Sequence, residues 1–134
     1  MTIVVTSAPT PGPYVGGSSV LWRLIGADMN VTTDQAFAKA FSFGNFVIDK
    51  IVAMNASASL TLAAGGIYTA ASKGGVAIVA AAQLYSSLTA AAKAVSLALA
   101  NTDKRSDSAI FLNLTVPQGV PATCDIYIIG TALS

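Results

Sequence analysis

An all-β domain is the fold class this sequence predicts, and two observations carry that expectation. Short apolar runs with period-2 alternation recur at a spacing of roughly 8–12 residues, each closed by a turn signal. Only 10% of the residues are charged, Glu is absent and Lys is sparse. An average soluble domain is about 25% charged, and Glu and Lys are the usual coat of exposed helices. At 134 residues the chain is long enough to bury one substantial core. A helical bundle is disfavoured, and an antiparallel sandwich or barrel of about eight short strands is expected.

Residues 1–19 read as an extended arm. Pro9, Pro11 and Pro13 alternate among Gly12, Gly16 and Gly17, which favours extended backbone with few ladder hydrogen bonds. Within the arm, Thr2, Ile3, Val4 and Val5 suit an added edge strand, and Tyr14 suits a partner contact. A frayed terminus is the plainer alternative. Residues 20–134 are expected to form a single sandwich domain.

"SVLWRLIG" (19–26) reads as the first strand, and "DMNVTTD" (28–34) as a polar turn. "QAFAKAFSF" (35–43) is ambiguous. Phe37 and Phe41 are four apart, as on a helix face, yet Phe37, Lys39, Phe41 and Phe43 alternate with Ala and Ser. The strand reading is preferred because Gly44-Asn45 then supplies a turn. "NFVIDKIVAMN" (45–55) is β-branched, with Asp49 and Lys50 expected on opposite faces. "SLTLAAGG" (59–66) reads as another strand. The Ala-rich stretches at 80–82 and 90–92 allow one helical turn or a short helix. "AVSLALA" (94–100), "AIFLNLTV" (109–116) and "ATCDIYIIGTAL" (122–133) alternate cleanly. "NTDKRSDS" (101–108) and "PQGVP" (117–121) separate them as turns.

One stretch tests whether this chain does chemistry: "GGIYTAASKGGVAIVAAAQ" (65–83). A phosphate-binding P-loop requires Gly-Lys-Ser/Thr after four residues and a glycine. Here Ser72-Lys73 precede Gly74-Gly75, and no Gly-Lys-Ser/Thr occurs in the chain. A Ser/Lys nucleophile pair places Lys three residues after Ser, on one helix face, whereas adjacent Ser72 and Lys73 point apart. The remaining reading is a hairpin in which Gly74-Gly75 supplies positive φ. Gly65-Gly66 form either a preceding turn or a bulge where backbones approach closely.

No catalytic, cofactor-binding or metal site is expected. His and Glu are absent, which removes the usual general bases and metal ligands. Asp103 and Asp107 share a loop, but Lys104-Arg105 between them repel a cation. Cys124 is the only cysteine; its strand context predicts a buried small hydrophobe. A net charge of +1 gives no basic field for nucleic acid. The uncharged window 74–92 is dominated by weakly hydrophobic residues around Gln83, so no membrane span is expected. Low charge also limits self-repulsion, which suits a homo-oligomer. Trp22 is expected in the core; as a surface platform, Trp22 or Tyr14 would instead stack on a sugar.

Residues 54–100 followed by 109–133, with their Gly-Gly turns, Ala/Ser/Thr-rich strands and few charges, resemble small structural proteins of tailed-phage virions. More specifically, they are similar to the jelly-roll decoration, or cement, proteins on the outside of phage heads. That resemblance implies an antiparallel, jelly-roll-like β-sandwich and a non-enzymatic role. It implies assembly in the host cytoplasm, a place on the capsid surface, and binding to the major capsid protein as a dimer or trimer. No functional residue carries over. A tail, head-fibre or connector component is the alternative within the virion, and a carbohydrate-binding β-sandwich the alternative outside it. If residues 2–8 add a strand to a neighbour, deleting 1–18 should weaken particle binding or oligomerisation while leaving the fold. Undiminished binding in a sedimentation assay would refute that contact.

Overall fold

The computed structural model describes residues 18–134. Among them lie nine strands and no helix: β1 (Ser19–Asp28), β2 (Gln35–Ala36), β3 (Ala38–Lys39), β4 (Phe46–Met54), β5 (Ala64–Ala70), β6 (Gly74–Val79), β7 (Ala94–Leu97), β8 (Phe111–Val116) and β9 (Thr123–Ala132). They form two antiparallel sheets, ordered β3-β1-β9-β4-β7 and β2-β8-β5-β6. Apart from the two-residue β3, the strands pair from the outside of the sequence inwards. β1 pairs with β9, β2 with β8, β4 with β7, and β5 with β6. The β4–β9 and β5–β8 pairings then join these ribbons into the two sheets. Such nested pairing is jelly-roll connectivity, a β-sandwich built from Greek keys.

The core is made by cross-strand rows. In the first sheet Trp22, Ile128, Ile51 and Leu97 stand opposite one another in turn, and all four are buried. In the second, Leu112, Ile67 and Val79 form the equivalent row, again buried. Residues directly opposite across a ladder point to the same face, so alternation in sequence becomes a continuous apolar layer. Each fully buried aliphatic side chain contributes about 1.5–3 kcal/mol through burial.

The segment 35–43 departs from the single strand expected of it. It divides into β2 and β3, which belong to different sheets. The Phe37 N–H donates to Ile110 O (2.9 Å) in one layer, and the Ala40 N–H to Leu21 O (2.8 Å) in the other. The chain therefore crosses the edge of the sandwich here. Alternation survived because the phenylalanines serve the crossing. Phe43 packs edge-on to Trp22 (5.9 Å) and to Phe46 (5.3 Å), and Phe41 tilts against Phe43 (5.1 Å). Lys39 Nζ lies 4.6 Å from the Phe43 ring centroid and donates to the Phe43 carbonyl at 2.9 Å.

Three further expectations are corrected. Asp49 and Lys50 do not face opposite ways; a bulge between Ile48 and Lys50 leaves both exposed. Residues 59–63 are irregular, and the strand begins only at Ala64. The Ala-rich region 80–93 holds no helix. Tyr85 and Leu88 within it are fully buried, and its backbone is committed elsewhere: Tyr85 N–H to Ala63 O, and Leu88 O accepting from Leu60 N–H. Tertiary contacts thus override alanine's helical preference.

Gly130 shows how tightly the central ladder closes. A Cβ there would collide with the Val47 carbonyl oxygen and press on Ile48 Cα, at the β4 bulge. Gly130→Ala is expected to lower the unfolding free energy by about 2–3 kcal/mol through overpacking, read as a reduced urea midpoint. An unchanged midpoint would show that β4 and β9 can separate freely there.

Candidate interaction surface

The Ser-Lys-Gly-Gly stretch is a hairpin turn between β5 and β6, built differently from the sequence expectation. Ser72 and Lys73 occupy the left-handed region, with φ of 58° and 61°, and Gly74 N–H donates to Ala71 O at 3.1 Å. Two central residues with positive φ make this a type I′ turn. Gly74 is not left-handed; Gly75, at φ 66°, is. A side chain at Gly75 would also strike the Thr69 hydroxyl, which accepts the Val76 N–H at 2.9 Å. The cost of two non-glycine residues in this region is offset from outside the hairpin. The Asp34 carboxylate accepts the Ser72 N–H at 3.0 Å and the buried Asn113 Nδ2–H at 2.8 Å.

Two further acids accept backbone N–H groups in the same way. Asp125 accepts Gly26 N–H and Asn55 Nδ2–H, each at 2.8 Å, holding two left-handed residues. Asp28 accepts Asn30 N–H at 2.9 Å. Asp107 pairs with Arg105, Asp103 accepts from Asn101, and Asp49 accepts from Ser18. A short carboxylate reaches nearby backbone where Glu would overshoot, which suits Asp28, Asp34 and Asp125 to holding turns. Among the described residues, no three His, Cys, Asp or Glu groups converge to hold a metal ion.

An uncharged surface with several exposed aliphatic side chains lies at the start of β5. Segments 59–66, 80–92 and 114–122 contain no charged residue, and hydrogen bonds draw them together. Gly65 N–H donates to Gln83 O (2.9 Å), and Thr115 Oγ1 to Ala81 O (3.0 Å). Gln118 is the fastener: buried, it accepts Leu62 N–H (2.9 Å) and Ala63 N–H (3.1 Å) through Oε1. Ala64 stands opposite Val116 on one side and Leu84 on the other. Around it, Leu62, Leu84, Val116 and Val120 are 61%, 60%, 45% and 55% exposed. Grouped exposed aliphatics on an uncharged face are the composition of a protein–protein contact.

Gly65 and Gly66 lie beneath this face as a bulge, not a turn: the register shifts between Ala64 and Gly65. A Cβ on either would strike backbone of a neighbouring strand. Trp22 is 1% exposed, so it is a core residue and offers no stacking platform. Thr2, Ile3, Val4, Val5 and Tyr14 lie outside the described residues. The aliphatic face itself was not singled out from sequence; the uncharged runs were its only signal, and they converge through Gln118 and the Gly65–Gln83 and Thr115–Ala81 hydrogen bonds. Comparison with known proteins returns no matching family model, curated protein or solved structure.

Cys124 is fully buried. Burial pushes its thiol from 9.0 up to about 12, with the neighbouring Asp125 carboxylate adding to the rise. The thiolate needed for nucleophilic chemistry is thereby suppressed. Because the folded state keeps a proton that the unfolded chain releases, this stability is full below about pH 9 and declines towards pH 12. Burial also raises Tyr85, reinforcing the trend. Urea midpoints are expected to fall between pH 9 and 11, less steeply in Cys124→Ala. A thiol reagent at pH 8 should label the unfolded chain but not the native one; rapid native labelling would contradict this burial.

Proposed function

We propose that this chain is a non-enzymatic structural protein of a tailed-phage virion, a decoration or cement protein bound to the outside of the head. Its partner is the major capsid protein, and it acts as a dimer or trimer. The observation that carries this reading is the uncharged face around Ala64, with Leu62, Leu84, Val116 and Val120 exposed. A face of that kind favours repeated association. On a symmetric lattice, modest contact per copy is multiplied by many copies and by cross-linking of neighbouring subunits. The jelly-roll connectivity agrees with the resemblance in sequence texture but does not by itself assign a function.

Copy number in purified particles tests the reading directly. Abundance near that of the major shell protein is expected from quantitative mass spectrometry. A handful of copies would move the protein to the tail or connector, and complete absence would remove the virion role. The surface is tested by Leu84→Asp/Val116→Asp. Both side chains are already exposed, so the thermal midpoint should stay within a few degrees. Particle binding or self-association should fall at least tenfold, because burying two carboxylates in an apolar contact is costly. Binding that persists unchanged would place the contact elsewhere.

A further inference from the structure

A polar depression of about 420 Å³ lies beside the β5–β6 turn, lined by Thr32, Ser72, Lys73, Asn113, Leu114 and Thr115. We propose that it binds a neutral saccharide, recognised through its hydroxyl groups. The inference rests on this site alone and stands whether or not the virion reading does.

Asn113 is the residue that marks this depression as a site. In β8, Leu112 and Leu114 belong to the core, so Asn113 between them faces the other way. It is nevertheless only 6% exposed. Its side-chain nitrogen donates to Asp34 Oδ1 at 2.8 Å. A carboxylate only accepts, so this contact fixes which way round the amide sits. The amide oxygen is thereby turned away from Asp34, and it is buried with no hydrogen-bond partner among the described residues. An unpaired buried acceptor carries a desolvation cost that an incoming O–H donor relieves.

The walls around Asn113 are held in place before any ligand arrives. The Asp34 carboxylate that fixes the amide also accepts the Ser72 N–H at 3.0 Å, so one group ties the turn to β8. Lys73 sits in that turn at φ 61°, and among the described residues its ammonium forms no ion pair. Thr115 Oγ1 spends its proton on Ala81 O at 3.0 Å, which leaves its lone pairs to accept. The set is mixed, and the mixture selects the ligand. A cation would be repelled by Lys73, and an anion by the Asn113 oxygen and the Asp34 carboxylate behind it. A hydroxyl both donates and accepts, so a ring of hydroxyls serves the Asn113 oxygen and the Lys73 ammonium together. The volume lies within the range of about 300–1,000 Å³ that takes small molecules. None of the lining residues is aromatic, so no ring stacks on the sugar and a weak, rapidly exchanging complex is expected.

Amide chemical shifts of the isotope-labelled full chain test this, with neutral hexose and N-acetylhexosamine oligosaccharides as the probes. Saturable shifts are expected at the Ser72, Lys73 and Thr115 amides and at the Asn113 side-chain amide. Lys73→Asn removes the ammonium but keeps a residue that tolerates positive φ, so the thermal midpoint should hold while the fitted Kd rises roughly threefold or more. Thr32→Ala, at an exposed wall position, is expected to act in the same direction. The proposal is overturned if no saccharide probe gives saturable shifts at these residues. It is equally overturned if inorganic phosphate saturates the site where saccharides do not, or if both variants bind the saccharide as tightly as the parent chain.

Discussion

The pairing of β9 with β1 and β4 is the constraint on which the rest of the structure depends. β9 is the last strand in the sequence, and it is hydrogen-bonded on both edges. Ile128 in its middle stands opposite Trp22 on one side and Ile51 on the other. Until the C-terminal strand is in place, β1 and β4 have no ladder between them and the aromatic cluster has no floor. The nested pairings bring distant parts of the sequence together, so closure entropy must be met before the core rewards it. Bulges between Leu24 and Ala27 and between Ile48 and Lys50 bend the partner strands around β9. Gly130 lets one of them come close.

Local polar chemistry fixes what the ladders leave open. Left-handed residues at Asn55, Ser72 and Gly26 each sit beside a carboxylate that receives a hydrogen bond from them. Hydrogen bonds to charged acceptors are worth more than neutral ones, and each spans strands far apart in sequence. Asp34 ties the β5–β6 turn to β8, and Asp125 ties β9 to β1 and to the end of β4. Asp34 and Asp125 thus act as pins between elements. The face around Ala64 is held without charge: Gln118 fastens 61–63, Gln83 O and Ala81 O accept from Gly65 and Thr115, and Leu and Val are exposed.

The parts of this fold legible in sequence were those governed by period-2 alternation over four or more residues. β1, β4, β7, β8 and β9 follow their apolar runs because each has one face on the core. Where tertiary demands replaced that pattern, the sequence misled. The phenylalanines of 35–43 alternate, yet they serve a crossing between sheets, so one expected strand became two short ones. Ala80–Ala82 are strong helix formers, but Tyr85 and Leu88 have buried seats that a helix could not reach while Tyr85 N–H bonds Ala63. Gly74-Gly75 looked like the turn, whereas Ser72-Lys73 make it. Nothing local marks Asp34, 38 residues before Ser72 in the sequence, as the group that holds them there.

The aliphatic face around Ala64 was hidden for a related reason. A run without charge in sequence reads equally as buried core, loop or surface, and only topology separates these. Here three such runs, from before β5, after β6 and after β8, meet because the nested pairings place the ends of those strands at one corner. Had any one run carried a lysine or aspartate, the corner would hold a solvated charge that must be paired or desolvated before a neighbour could approach. Its absence from all three makes the corner permissive for close packing. The corner thus gathers exposed Leu and Val with no charged residue in any of its three runs, a composition that no local motif announces.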